Sequence, residues 1–354
     1  MRACASLVAV IATTAALGLG PPAARAQESS SEAQPERKRL IERIRERREA
    51  RQAERNADSS GGESATPQAG PARIESSGSY RYTLQHDGLE RAYRVHVPKS
   101  WSAAKPMPML LVFHGGGGNM DYQADDRYYG LISKSESAGF IAVFPNGYSR
   151  RGGKLASWNA GNCCAGARDE NIDDVGFVRK MIERLRTTVV FDDKRIYSTG
   201  MSNGALFSYR LACEMSETIR GIASVAGSDG TKTCNPTRPV SILEIHAKDD
   251  EFVLFNGGAG KNLKILADFV SVPETISRWV QRNGCPAAPK RVLETEGAYC
   301  DSYAPCREGT EVKLCVTERG GHSWPGGIKV RTGEPGSKAL IANDVMWEFF
   351  GRHR

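Results

Sequence analysis

The chain has 354 residues, with 48 Lys and Arg against 41 Asp and Glu, a net charge of +7, and 40% hydrophobic residues. That length and apolar content suit one domain with a sizeable core, and so modest a charge excludes a strongly basic nucleic-acid-binding module. Residues 1–26 read as a signal peptide: Arg2 precedes an apolar stretch ending near Gly20, and Ala24-Arg25-Ala26 forms a small-residue cleavage site before Gln27. The apolar stretch is short for a membrane span and Cys4 lies too early for a lipoprotein cysteine. The expected product is secreted, extracellular or periplasmic, with no stable membrane anchor.

Residues 27–78 are poor in large apolar side chains and rich in charge, Ser, Gly and Pro, so they cannot bury enough surface to fold alone. Within them residues 36–49 are helix-prone, with opposite charges four apart, and residues 59–71 read as a linker. This stretch is nearly neutral, so the excess positive charge falls on the remainder, residues 79–354, which forms the expected catalytic domain. There an antiparallel pair is predicted over residues 80–85 and 92–97, turning at His86-Asp87-Gly88. Strand and helix signals then alternate: strands over 110–113, 140–144, 196–199, 221–226, 240–245 and 311–317, and helices over 128–137, 175–186, 205–212, 273–283 and 339–350. Such alternation predicts an α/β fold whose mostly parallel central sheet is covered by helices on both faces.

The sharpest local signal is Gly200-Met201-Ser202-Asn203-Gly204, set between a short buried strand and an apolar helix. A serine on that turn is exposed on strained backbone, and flanking glycines let neighbouring chain pass close; this is the nucleophile elbow of α/β-hydrolases. A serine hydroxyl needs a base and a group that orients the base, found in this fold in the order serine, acid, histidine. Of the histidines after Ser202, His353 lies in the terminal tail and reads as solvated. His246 reads as a hydrogen-bonded core residue at a strand end. His322 follows an alternating strand in the loop Gly320-Gly321-His322-Ser323-Trp324-Pro325 and is the candidate base. The acid should follow the strand over 240–245, where Asp249, Asp250 and Glu251 stand in a row. For the oxyanion, His114-Gly115-Gly116-Gly117-Gly118 follows a short apolar strand and leaves amides unshielded; Gly115 or Gly116, with Asn203 after the nucleophile, are the candidate donors. No Gly-Lys-Ser/Thr follows the glycines, which argues against a nucleotide.

The segments 114–119, 158–164 (Trp158-Asn159-Ala160-Gly161-Asn162-Cys163-Cys164), 173–177 (Asp173-Asp174-Val175-Gly176-Phe177), 200–204 and 321–326 together resemble the secreted polyhydroxybutyrate depolymerase and feruloyl esterase-like family, from about residue 79 onward. The resemblance implies an α/β-hydrolase fold and hydrolysis of carboxylic esters through an acyl-enzyme, with no cofactor or metal. The family places its acid in a His-Gly-Thr-x-Asp segment, which corresponds to His246-Ala247-Lys248-Asp249-Asp250 and points to Asp250. Ala247 and Lys248 depart from that pattern.

Removing Cys4 leaves eight cysteines, which suit disulfides in an oxidising compartment. Local proximity pairs Cys213 with Cys234, and Cys285, Cys300, Cys306 and Cys315 among themselves; Cys163 and Cys164 bridge each other or pair elsewhere. Trp158 and Trp324, both in glycine-rich loops, are expected to line a substrate cleft. The leading expectation is an esterase acting on hydroxyalkanoate oligomers or polymer. Its alternatives are a feruloyl or acetyl xylan esterase, a poly(aspartic acid) hydrolase, and a binding protein on an inactive hydrolase fold.

Overall fold

The computed structural model describes residues 73–260, 268–330 and 332–353; the signal peptide and the tether as far as residue 72 lie outside them. The folded unit starts earlier than residue 79. Ile74 is buried and its N–H donates to the Thr188 carbonyl at 2.8 Å, because an isoleucine at the domain edge gains more from apolar contact than from solvent.

The strands are β1 (Gly78–His86), β2 (Leu89–Val97), β3 (Met109–Phe113), β4 (Ile141–Pro145), β5 (Ile196–Met201), β6 (Ile219–Val225), β7 (Ser241–Ala247), β8 (Lys290–Thr295), β9 (Ala298–Tyr303) and β10 (Val312–Thr317). Among the described residues they form one sheet in the order β1-β2-β4-β3-β5-β6-β7-β10-β9-β8. Neighbours from β4 through β3, β5, β6 and β7 to β10 run parallel, and antiparallel strands flank them at both edges. Strands β3 and β4 are buried throughout, as continuous apolar runs require in a sheet covered on both faces. The β1–β2 hairpin turns at Asp87 and Gly88, with φ of 49° and 70°, a left-handed pair whose twist matches that of the strands.

The helices are α1 (Met120–Gln123), α2 (Leu131–Ala138), α3 (Ala165–Asp169), α4 (Asp174–Thr188), α5 (Asn203–Glu214), α6 (Val272–Asn283) and α7 (Ala342–Arg352). Apolar residues of α4, α5 and α6 share one core with one sheet face, including Phe177, Phe207 and Trp279. Those of α2 and α7 share a second core with the opposite face, including Leu131, Phe349 and Phe350. Capping fixes several starts: Ser271 accepts from Glu274 N–H before α6, and Asp173 accepts from Gly176 N–H before α4. The β8–β9 hairpin was not expected, because Lys290-Arg291 and Glu294 leave β8 with an exposed, charged strand that carries no apolar alternation. His353 is not a solvated tail residue. Its Nε2 lies 3.0 Å from Glu311 Oε2, and its carbonyl accepts from the Tyr197 hydroxyl at 2.9 Å.

Candidate active site

Strands β5, β7 and β10 run parallel, so the loops leaving their C-terminal ends emerge on one edge of the sheet. Ser202 follows β5 at once, with φ of 56° and ψ of −122°, a conformation costly for a residue that bears a Cβ. It is held there by its N–H, which donates to the Val225 carbonyl of β6 at 2.9 Å, and by α5, which begins at the next residue. The glycines on either side have no substitute: a Cβ on Gly204 would stand 2.2 Å from the Phe113 carbonyl oxygen, and one on Gly200 2.5 Å from the Gly204 carbonyl.

At the end of β7 the neighbouring carboxylates separate in role. Asp250 Oδ2 lies 2.8 Å from His322 Nδ1, while Asp250 Oδ1 accepts from the N–H groups of Phe252 and Val253. Asp249 accepts instead from Gly321 N–H at 2.7 Å and Gly320 N–H at 3.3 Å, so it braces the backbone of the histidine loop. Glu251 is exposed. Burial pushes the Asp250 carboxyl up, but hydrogen bonds from His246 and His322 and their charges outweigh it and hold it far below the usual carboxylate range. His322 Nε2 and Ser202 Oγ are not hydrogen-bonded to each other among the described residues; such bonds tighten in the substrate complex. The ring of Phe252 lies against that of His322, centroids 5.1 Å apart.

The glycine loop after β3 packs onto the elbow. A Cβ on Gly115 would meet Ser202 Cβ at 3.5 Å, and one on Gly116 would meet Asn203 Cβ at 3.6 Å. The Gly115 carbonyl accepts from His114 Nδ1 at 2.8 Å and from Gly118 N–H at 3.0 Å. In a trans peptide the next N–H points the opposite way, which aims Gly116 N–H away from the His114 ring. Asn203 N–H heads a helix and has no partner within it. The two amides and the positive end of α5 can together stabilise a developing oxyanion.

His114 is locked as a neutral ring, since Nδ1 donates to Gly115 and Nε2 accepts from Gly147 N–H at 3.0 Å; burial lowers it to about 4. The Asn203 side chain clamps the Trp158 backbone from both sides, Oδ1 accepting from its N–H at 2.7 Å and Nδ2 donating to its carbonyl at 2.9 Å. Asp174, buried beside Arg91 at 2.6 Å, accepts from Asn159 N–H and fixes the same segment.

Trp158 and Trp324 do not line a cleft. They are 0% and 2% exposed, and each indole N–H is satisfied internally, by the His114 carbonyl and by Asn343 Oδ1. An indole gains more by burying its ring with its N–H bonded than by facing water. Trp158 stacks on Phe207, and Trp324 meets Tyr129, whose hydroxyl contacts the Met201 sulfur beside the elbow. The tetrad Trp324-Tyr129-Met201-Ser202 thus links the histidine loop to the serine turn. Tyr129 was missed in the sequence because nothing in its neighbourhood marks it apart from other core tyrosines.

The cysteines pair Cys213 with Cys234, Cys285 with Cys306 and Cys300 with Cys315, and the sulfurs of Cys163 and Cys164 are brought together. Among the described residues no helix is long and apolar enough to cross a membrane.

No protein-family model matches the chain. It is 30% identical over 236 residues to feruloyl esterase B of Piromyces equi, covering 65% of this chain but only 42% of that relative's length. It is 25% identical over 281 residues to feruloyl esterase D of Neurospora crassa, covering 76% of this chain and 84% of the relative. Among solved structures it superimposes on acetyl xylan esterase from Aspergillus awamori with a TM-score of 0.51 at 14% identity, over 77% of this chain and 99% of that one. It superimposes on an S-formylglutathione hydrolase from Agrobacterium tumefaciens with a TM-score of 0.50 at 12% identity, over 79% and 97%. The chain therefore has the α/β-hydrolase fold and is related in sequence to esterases.

Proposed function

We propose that this protein is a secreted serine hydrolase that cleaves carboxylic esters through an acyl-enzyme, with Ser202 as nucleophile, His322 as general base, Asp250 as its orienting acid, and Gly116 and Asn203 N–H as oxyanion donors. The observation that carries the reading is the 2.8 Å contact of Asp250 with His322 Nδ1, on the sheet edge that presents Ser202 at positive φ. Asp250 holds Nδ1 protonated, so Nε2 takes the serine proton as Oγ attacks the ester carbonyl. The negative charge then on the carbonyl oxygen falls toward the two amides. His322 next returns the proton to the leaving alcohol, and water repeats the sequence to release the acid.

For substrate, the names of the relatives, feruloyl esterases and a bifunctional acetylxylan esterase/xylanase, favour a feruloyl or acetyl ester over the hydroxyalkanoate expected first. Phe252 beside His322 offers an aromatic surface next to the reacting groups. The test is acid release from methyl ferulate, acetylated xylan and soluble hydroxybutyrate oligomers side by side, with Ser202→Ala as blank. Preference for ferulate or acetylated xylan supports the reading. Preference for the oligomer returns the protein to the depolymerase branch, and turnover of none of them removes the ester assignment.

A further inference from the structure

Strand β7 is buried along all seven residues, yet it carries Glu244 and His246. Two apart in a strand, they point to the same face, the face of α5, where Tyr209 stands. Groups that ionise there need partners, because an unpaired buried charge is severely destabilising. Each has them. The Tyr209 hydroxyl donates to Glu244 Oε2 at 2.8 Å, and Glu244 Oε1 lies 3.0 Å from His246 Nδ1. His246 Nε2 is 2.9 Å from the Val253 carbonyl and 3.4 Å from Asp250 Oδ2, the same oxygen that meets His322.

These contacts constrain the protons. A carbonyl only accepts, so His246 Nε2 carries hydrogen. Glu244 accepts from Tyr209 at Oε2, so one proton remains to be placed between Oε1 and His246 Nδ1; on Nδ1 it makes Glu244 a carboxylate with both oxygens accepting and His246 an imidazolium. Burial by itself would lower the His246 imidazole, but hydrogen bonds to Asp250 and Glu244 and their charges outweigh it and raise it to about 10. Burial pushes Glu244 the other way, upward, against the pull of His246. Also against the pair are Ser224 of β6, in register with Glu244, the Phe255 ring edge and, beyond Tyr209, Asp229 paired with Arg282 at 3.0 Å.

We propose that Glu244 and His246 are positioning residues for the ester hydrolysis, a buried imidazolium clamped between two carboxylates that fixes Asp250 toward His322 and tempers its negative charge. The inference rests on the reading of Ser202, His322 and Asp250 as a triad. It gives the two variants opposite signatures. His246→Gln keeps a donor for Asp250 but removes the positive charge behind it, so a more negative field favours the protonated base. The acid limb of kcat/KM against pH then moves up, by roughly half a pH unit or more. Glu244→Gln removes a negative charge and moves the limb down. A role in packing alone would lower the melting temperature and kcat in both and leave the limb where it is.

The experiment is the kcat/KM–pH profile for p-nitrophenyl acetate in wild type, His246→Gln and Glu244→Gln, beside 15N-histidine NMR of the wild type, with His246→Gln assigning the resonance. Opposite displacements of the limb and a His246 ring still doubly protonated at pH 8 are the expected results. An unmoved limb, displacement in the same direction, or a neutral His246 ring at pH 7 overturns the proposal. Should His246→Gln fail to fold, the wild-type His246 resonance, assigned by its contact with Val253, still decides: doubly protonated at pH 8 supports the proposal and neutral at pH 7 overturns it. If the wild type does not hydrolyse the ester, or Ser202→Ala does, the triad reading fails instead, and the NMR result stands apart from it.

Discussion

Asp249 and Asp250, adjacent in the chain, grip the same loop at different points: Asp250 takes the His322 ring, and Asp249 takes the backbone N–H groups of Gly320 and Gly321. One therefore sets the ring's tautomer and the other its location. Asp250→Asn should lower kcat by roughly 10³–10⁴-fold with the fold intact, since an amide stabilises neither the tautomer nor the imidazolium. Asp249→Ala, which removes both acceptors for the loop, should cost only about 10–100-fold, as a misplaced base does. Steady-state kinetics with circular dichroism on both variants checks this, and equal losses would put the acid assignment in doubt.

Acid should weaken the fold through His114. Its ring is neutral in the native state down to about 4, whereas an exposed histidine takes a proton near 6.5. The unfolded chain thus binds more protons between those values, so this stabilisation is complete above about 6.5 and is lost as the pH falls toward 4. At pH 4.5 the loss is roughly 2–3 kcal/mol. Urea midpoints at pH 7 and 4.5 should differ more for wild type than for His114→Asn; equal differences would contradict it.

At the elbow, Gly204→Ala should be the least tolerated small substitution. Its methyl would meet the Phe113 and His114 carbonyl oxygens at 2.2 and 2.6 Å, both in backbone that cannot swing aside. Destabilisation of about 3 kcal/mol and loss of fluorophosphonate labelling are expected. A labelled, stable Gly204→Ala protein would mean that β3 and α5 sit farther apart than described.

Removing the Cys213–Cys234 bridge, which closes a loop of 21 residues, should cost about 3 kcal/mol. Thermal melts of the Cys213→Ala/Cys234→Ala double variant would measure it, and mass spectrometry of the unreduced protein should find neither thiol free in wild type.

Much of the fold was readable where apolar runs were long and bounded by glycine, as at Met109–Phe113 and Ile196–Met201. The β8–β9 hairpin was not, since its outward residues are charged and its inward ones include a disulfide half, Cys300. Of the candidate site, Ser202, His322 and the glycine loop could be found by motif and order. Local pattern alone did not separate Asp249 from Asp250, since both lie in one turn and differ in side-chain direction; only the resemblance to the family's His-Gly-Thr-x-Asp segment pointed to Asp250. Trp158 and Trp324 misled because a glycine-rich loop suggests exposure, whereas these loops are pinned inward by the indoles themselves. The Glu244-x-His246 pair was a legible oddity, two ionisable groups in an otherwise apolar strand, but its partners Tyr209 and Asp250 come from elsewhere in the chain.

The placement of β10 beside β7 has a consequence for biogenesis. Asp250 and His322 lie 72 positions apart, and the second sits in the loop after β10, a strand paired with β7 on one side and β9 on the other. Contacts of such sequence separation form late, because a long loop must close before they reward the chain. A partly folded chain can thus present its serine turn while still lacking the proposed base, so reactivity marks completion of the whole sheet, and a fluorophosphonate probe would report finished molecules rather than merely compact ones.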